Sequence, residues 1–165
     1  MDTDASCAVA HGARPAPVTA RALVAVFATP VAEHLLRYAG DLGYRTALVD
    51  PEPGSGALPE LPEDLDAGTD VVVTDHHRAE LGPLLRDALA REVRWVGIMG
   101  NPRHPGPHVE ALRALGVGED DIARVHRPIG LNIGSRTPAE IAIATLAGLV
   151  ADRNGKPGGF VFDLT

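Results

Sequence analysis

Short, almost continuously apolar segments alternate with amphipathic helical patterns along most of this chain, and this alternation restricts the possible folds strongly. A short apolar run is typical of a strand buried on both faces, the usual environment in a parallel sheet. Strands separated by helix-length connections favour an α/β fold with right-handed crossovers. We therefore predict a three-layer, doubly wound, mostly parallel sheet, with strands at 23–28, 45–49, 71–74 and 95–99 and helices at 30–42, 79–92, 108–115 and 138–152.

The organisation of the chain is predicted to be simple. Residues 1–20 lack apolar periodicity, so we expect a flexible leader followed by one domain over 21–165. Residues 51–69 are rich in proline, glycine and acids, which predicts an irregular connection in place of a crossover helix. The last residues, 160–164, are predicted to form a terminal strand or an arm.

Composition excludes several classes of protein. Aromatic residues make up only 4% of the chain, so the core must be aliphatic, which suits a parallel α/β sheet. The net charge of −7 without a basic stripe argues against nucleic acid as a partner. We expect no membrane segment and no signal peptide, and hence a cytoplasmic protein. The lone Cys7 excludes an internal disulfide and a cysteine-based zinc site.

The first strand, helix and second strand have the spacing of a dinucleotide-binding unit of the Rossmann type. In such a unit an acid at the end of the second strand binds the ribose, and Asp50 stands at that position. The glycine-rich turn is missing, however, because residues 27–33 contain no glycine and Pro30 removes a backbone donor. Two interpretations stay open: a site for NAD(P) that uses Asp50, and a purely structural unit.

A complete helix-start signal precedes the last predicted helix. Thr137 has the properties of an N-cap, and Pro138 suits the first helical position because its missing N–H would be unpaired there. Glu140 is placed to complete a capping box. The helix that follows is apolar around much of its circumference, which predicts that it is largely buried.

The segment before this helix has the features of an anion-binding turn. Gly130 and Gly134 can adopt a positive φ and let backbone N–H groups approach a ligand, with Ser135 beside them. Arg136 stands at the positive end of the helix dipole, where phosphate or carboxylate is stabilised. The alternative is a tightly capped structural loop in which Arg136 pairs with a neighbouring carboxylate.

Asp75 and His76 follow the third predicted strand and also have two interpretations. A carboxylate can orient an imidazole and raise its pKa, as in an acid–base pair. Alternatively, Asp75 caps the following helix and leaves His76 facing the cleft. The histidines lack metal-ligand spacing, since two prolines interrupt the interval between His104 and His108. Ser135 is not part of a nucleophile elbow, so no catalytic residue is predicted.

Three segments carry a resemblance to a known family: Val72-Val-Thr-Asp-His76, Trp95-Val-Gly-Ile-Met-Gly100 and His126-x-Pro-Ile-Gly-Leu-x-Ile-Gly-x-Arg-Thr-Pro-x-Glu-Ile141. They resemble motifs in the C-terminal Rossmann-like domain of the xanthine dehydrogenase accessory factors, the XdhC/CoxI family. The resemblance extends from about Leu23 to Ala151. Its last motif is long and specific.

The resemblance implies a role in the maturation of molybdenum hydroxylases. Members of the family bind the molybdenum cofactor, protect it and help to deliver it in its sulfurated form to the target enzyme. The resemblance therefore implies an accessory or chaperone-type protein instead of an enzyme, with the cofactor's phosphate held near the last helix. The cofactor-binding residues that we predict are Asp50, Asp75, His76, Gly100, Gly130, Gly134, Ser135, Arg136 and Thr137.

The chain departs from the family pattern at places that keep other functions open. The family's N-terminal domain has no counterpart before Arg21, which implies a separately encoded N-terminal partner or a homo-oligomer. A Gly-x-Gly-His turn of the family is replaced here by Ala28, Thr29 and Pro30. The alternatives are an NAD(P)- or nucleotide-binding oxidoreductase-type domain and a non-catalytic structural subunit of an oligomer.

Overall fold

The computed structural model describes residues 5–15 and 20–160. One five-stranded parallel sheet consists of β1 (Ala22–Val26), β2 (Arg45–Val49), β3 (Thr69–Val73), β4 (Trp95–Ile98) and β5 (Val125–His126). The helices are α1 (Ala5–Ala10), α2 (Pro30–Asp41), α3 (Leu81–Leu89), α4 (His108–Ala114), α5 (Glu119–Ile122) and α6 (Pro138–Arg153). The strand order β2-β1-β3-β4-β5 confirms the predicted doubly wound α/β fold.

Helices cover both faces of the sheet, because its central strands are apolar on both faces. Every residue of β1 and β3 is buried. On one face, Leu23 and Ala25 of β1 pack in a cluster with α2 and α6. On the other face, Val24 and Val26 pack with α3, α4 and α5. Successive side chains of a strand point to opposite faces, so one central strand supplies both cores.

Some elements differ from the sequence predictions. A short helix, α1, lies within the segment predicted as a leader, and β5 was not predicted because two residues carry no periodicity. The connection after β2 is irregular, as its prolines indicated, and forms one bridge between Val49 and Leu58. The strand or arm predicted at 160–164 lies, apart from the exposed Phe160, outside the described residues.

A buried carboxylate at the amino ends of the strands ties α6 to the sheet. Asp70 of β3 is fully buried and accepts hydrogen bonds from Nε of Arg94 at 2.6 Å and Nε of Arg153 at 3.0 Å. Burial raises the pKa of the Asp70 carboxyl, and the two guanidinium groups oppose this effect. Arg153 also donates to the carbonyl of Gly68 at 2.6 Å. The end of α6 is therefore held against the start of β3.

Replacing Asp70→Asn should lower the free energy of unfolding by about 3 kcal/mol, because it leaves two partly buried guanidinium groups without their shared carboxylate. Urea unfolding followed by circular dichroism measures this difference. Asp41→Asn, which changes an exposed acid at the end of α2, is the matched control and should shift stability by less than about 0.5 kcal/mol. Equal stability of the two variants would contradict the assignment.

Candidate functional site

A cleft of about 810 Å³ lies at the carboxyl ends of the strands, where ligands bind in open α/β sheets. Its walls come from the turns after β3 and β4, from the segment 128–135 and from the first half of α6. Its volume lies in the range of small-molecule sites. The predicted site residues that line this cleft are His76, Gly100, Gly130, Gly134 and Ser135. Asp50, Asp75, Arg136 and Thr137 are not among the lining residues.

The wall formed by 128–135 depends on its two glycines. Gly130 has a φ of +89°, and a Cβ there would lie 3.4 Å from the backbone nitrogen of Thr145 in α6. The next residue, Leu131, donates its N–H to the carbonyl of Ala144 at 3.0 Å. Gly134 has a φ of +70° and open space around it. The first glycine thus allows close packing on α6, and the second allows the turn that faces the cleft.

The predicted capping box at the start of α6 is confirmed. The Thr137 hydroxyl accepts the Glu140 N–H at 3.2 Å, and a Glu140 carboxylate oxygen accepts the N–H groups of Arg136 at 2.6 Å and Thr137 at 3.0 Å. These backbone donors lower the pKa of Glu140. The carboxylate of Glu140 therefore already occupies the donors that an anion at the helix start would use.

The donors that stay available lie just before the helix. Within residues 5–15 and 20–160, no acceptor is bonded to the backbone N–H of Gly134 or Ser135. The exposed guanidinium of Arg136 forms no ion pair with any described residue, so the structural alternative in which it pairs with a carboxylate is not observed. The segment therefore leaves two backbone N–H groups unbonded, followed in the chain by an exposed cation, which is the kind of arrangement that favours an anion.

Arg127 contributes to this region although the sequence analysis predicted no role for it. Its guanidinium donates to the carbonyl of His104 at 2.8 Å and to that of Asn101 at 3.1 Å. A Cβ at Gly100 would lie 2.6 Å from Nη2 of Arg127, so a larger residue there would displace this guanidinium. Arg127 thus holds the loop after β4 against the 128–135 wall. Sequence spacing does not predict these hydrogen bonds, because their acceptors are backbone carbonyls, which every residue has.

The turn after β3 brings His76 to the cleft and corrects one prediction. Asp75 accepts the N–H of His77 at 2.8 Å, whereas α3 begins at Leu81, with Glu80 as its N-cap residue and without a side-chain cap. The prediction that Asp75 caps this helix is therefore wrong, because Asp75 satisfies the nearer N–H group. Burial lowers the pKa of His76, and His77 and Arg127 lower it further against the opposing charge of Asp75. A neutral imidazole at pH 7 follows.

Asp50 lies beside the cleft, at the end of β2, and is already paired. It is 3% exposed and accepts hydrogen bonds from both Nη atoms of Arg78, at 2.9 and 3.2 Å. The N–H groups of Ala28 and Glu52 donate to it as well, each at 2.9 Å. Burial alone would raise the pKa of Asp50, but Arg78 and the two N–H groups outweigh it and hold the pKa below its ordinary value.

The described residues contain neither a metal-ligand cluster nor a helix able to cross a membrane. Across the described ranges, no group of three or more His, Cys, Asp or Glu residues is arranged to hold a metal ion. His126 instead stacks on Trp95, with ring centres 5.0 Å apart. In the same ranges, no helix combines the length and the apolar character that crossing a membrane requires.

Comparisons with known proteins agree with this architecture. Residues 23–149 match the family model of the XdhC Rossmann domain. The uncharacterized protein YqeB of Escherichia coli (strain K12) is 34% identical over 116 residues, which cover 70% of this chain and 21% of YqeB. A crystal structure of a xanthine dehydrogenase from Bacillus halodurans has a similar fold, with a TM-score of 0.63 and 22% identity over 87% of this chain and 46% of that chain. The chain therefore spans less than half the length of either protein.

Replacing Asp50→Asn should lower the free energy of unfolding at neutral pH by about 2 kcal/mol, because hydrogen bonds to a charged group contribute roughly that amount. The pKa of Asp50 in the folded protein lies below its ordinary value of 3.8. The stabilisation is therefore complete above that value and disappears as the pH falls through the folded pKa. Urea unfolding at a series of pH values measures the difference between the two proteins.

The two unfolding curves should approach each other only as the pH falls below 3.8 and through the lower folded pKa of Asp50. Asp41→Asn controls for the loss of an exposed carboxylate and should follow the wild-type protein throughout. A difference that stays constant into strong acid would contradict the role of the Asp50 carboxylate.

Proposed function

Because the chain belongs to the XdhC Rossmann-domain family, we propose that it is an accessory protein in the maturation of a molybdenum hydroxylase and that it binds the molybdenum cofactor in the strand-end cleft. One observation carries this proposal. The motif glycines Gly100, Gly130 and Gly134, with Ser135 and His76, come from three separate parts of the chain and line one cleft of about 810 Å³. The proposed role is binding and delivery, without catalysis.

The residues present fit a pterin with a terminal phosphate. Gly134 and Ser135 would hold the phosphate through backbone N–H groups that no described residue occupies, with the guanidinium of Arg136 following in the chain. The neutral His76 places a polar group in the same cleft, where a hydrogen bond to a pterin ring would orient it. Gly130 keeps the wall close to α6 and leaves the cleft open.

The bound cofactor would supply the metal chemistry of the client enzyme. The chain's own residues would bind its phosphate, orient its ring system and exclude water from part of its surface. The proposed client is a molybdenum hydroxylase. We also propose that the chain associates with a separately encoded N-terminal partner or forms a homo-oligomer. Light scattering of the purified chain tests the homo-oligomer.

Binding of NAD(P) is not proposed as a second function. Asp50, the acid at the ribose position, is bonded to Arg78, and the turn after β1 has no glycine. A ribose would need to displace a charge-assisted pair to reach this carboxylate.

Replacing Arg136→Ala should weaken retention of the cofactor about tenfold, because one charge-assisted contact to phosphate contributes roughly 1.4 kcal/mol. The protein is incubated with molybdenum cofactor released from a donor hydroxylase and then separated from free ligand. Retained pterin is measured by fluorescence after oxidation. Folding should not change, since the guanidinium makes no ion pair with a described residue.

Arg37→Ala is the matched control. Arg37 is an exposed arginine of α2 that bonds to His34 and lies over the ring of Tyr38 on the same helix, and its loss should leave retention unchanged. Absence of retention by the wild-type protein would refute the proposed function. Equal retention by wild type and Arg136→Ala would remove Arg136 from the site.

A further inference from the structure

The outer face of α6 is apolar, whereas the outer face of the neighbouring α2 is charged. The two helices pack side by side on one face of the sheet. The exposed positions of α2 include Glu33, Arg37 and Asp41, which is the usual composition of a helix that faces water. Residues 141–151 of α6 contain no charged side chain. One side of α6 therefore meets water without the charges that a surface helix normally carries.

Four residues form this uncharged surface, which we call the α6 strip: Ile143, Ala147, Val150 and Ala151. They lie three or four positions apart, so they share one side of the helix. Ile143 is 53% exposed, and the other three are half-buried. Within the described ranges, the strip belongs to neither hydrophobic core and does not line the cleft. The fold of one chain thus leaves the strip open to a partner.

The two ends of the α6 strip carry polar groups of complementary character. Glu140 is exposed at the start, and only one of its carboxylate oxygens accepts bonds from described residues. At the other end, Asn154 and Lys156, the single lysine of the chain, are exposed. The N–H of Lys156 donates to the carbonyl of Ala151 at 2.8 Å, which keeps this lysine beside the helix end. The strip is therefore acidic at its start and basic at its end.

We infer that the α6 strip is the contact surface between two copies of this chain, which pair about a twofold axis at Ala147 with their α6 helices antiparallel. This inference rests on the proposed homo-oligomer and is independent of the cofactor. The argument for a second copy is that the strip is complementary to itself when reversed. Glu140 and Asn154 each lie seven residues from Ala147, so an antiparallel pair places the carboxylate of one copy opposite the amide of the other.

The sizes of the side chains fit the same arrangement. Alanine at the axis allows two helices to approach closely. Ile143 of one copy then lies opposite Ala151 of the other, because each is four residues from Ala147, and a large side chain packs against a small one. Lys156 of the second copy lies beyond Asn154, near the acidic end of the first. A parallel pair would instead place the two Glu140 carboxylates together, which like charges disfavour.

Ala147→Glu and Ala147→Lys test the axis, because a residue on a twofold axis faces its own copy. Each variant alone puts two like charges together and should raise the dissociation constant of the dimer at least about tenfold. An equimolar mixture of the two variants pairs a carboxylate with an ammonium and should restore the dimer. Sedimentation velocity of the full chain over a wide range of concentrations measures both effects.

Ala114→Glu is the matched control, since Ala114 is an exposed alanine of α4, which packs on the other face of the sheet. This variant should dimerise like the wild-type protein. Glutamate and lysine both favour helices, so the Ala147 variants should fold, which circular dichroism checks. Lys156→Glu, outside the helix, gives a second measurement if they do not. It reverses two exposed charge pairs and should raise the dissociation constant about fivefold.

A wild-type chain that stays monomeric at every concentration would refute the inference, whether a separate protein or the chain's own last residues cover the strip. A dimer that the Ala147 and Lys156 variants leave unchanged would also refute it, while the proposed homo-oligomer would stand. Loss of the dimer in both Ala147 variants without recovery in the mixture would refute the twofold axis. Failure of the chain to retain the cofactor would refute the proposed cofactor binding and would change none of these measurements.

Discussion

The chain leaves the neighbouring strands β1 and β3 toward opposite faces of the sheet. The crevice at the carboxyl ends of the strands depends on this divergence. β1 leads into α2, which packs with α6 on one face, whereas β3 leads into α3 on the other face. Because the two connections separate, neither helix covers the carboxyl ends of both strands, and a crevice forms between them. Both strands are buried along their whole length, so the edge that they form is positioned by packing on both faces.

The two halves of the crevice have opposite chemistry. Toward β2, Arg78 neutralises the buried Asp50 and covers Phe27, so that charge and apolar surface are satisfied within the fold. Toward β4, Gly130 and Gly134 add no side chains to the 128–135 wall. The backbone N–H groups of Gly134 and Ser135, just before α6, bond to no acceptor in the described part of the chain. A paired carboxylate gains little from a ligand, whereas an unpaired donor gains a hydrogen bond. One half therefore contributes to stability and the other is suited to binding.

Much of the fold and of the candidate site could be predicted from the sequence, and the wrong predictions have physical causes. The capping box of Thr137 and Glu140 was predicted because its partners are three residues apart. The strand ends placed Gly100 and Gly130 at one edge, and both line the cleft. The cap assigned to Asp75 was wrong because Asp75 accepts the N–H of His77 within its own turn, and α3 begins only at Leu81.

By itself, the sequence determined the type and order of the main elements and the start of α6, since these depend on groups within a few residues of each other. Only the tertiary structure decided which charges meet. Asp50 and Arg78 are 28 residues apart, and Asp70 and Arg153 are 83 apart. No spacing rule relates such residues, because each pair forms only after separate strands and helices have packed side by side. That packing filled one half of the crevice and left the other open.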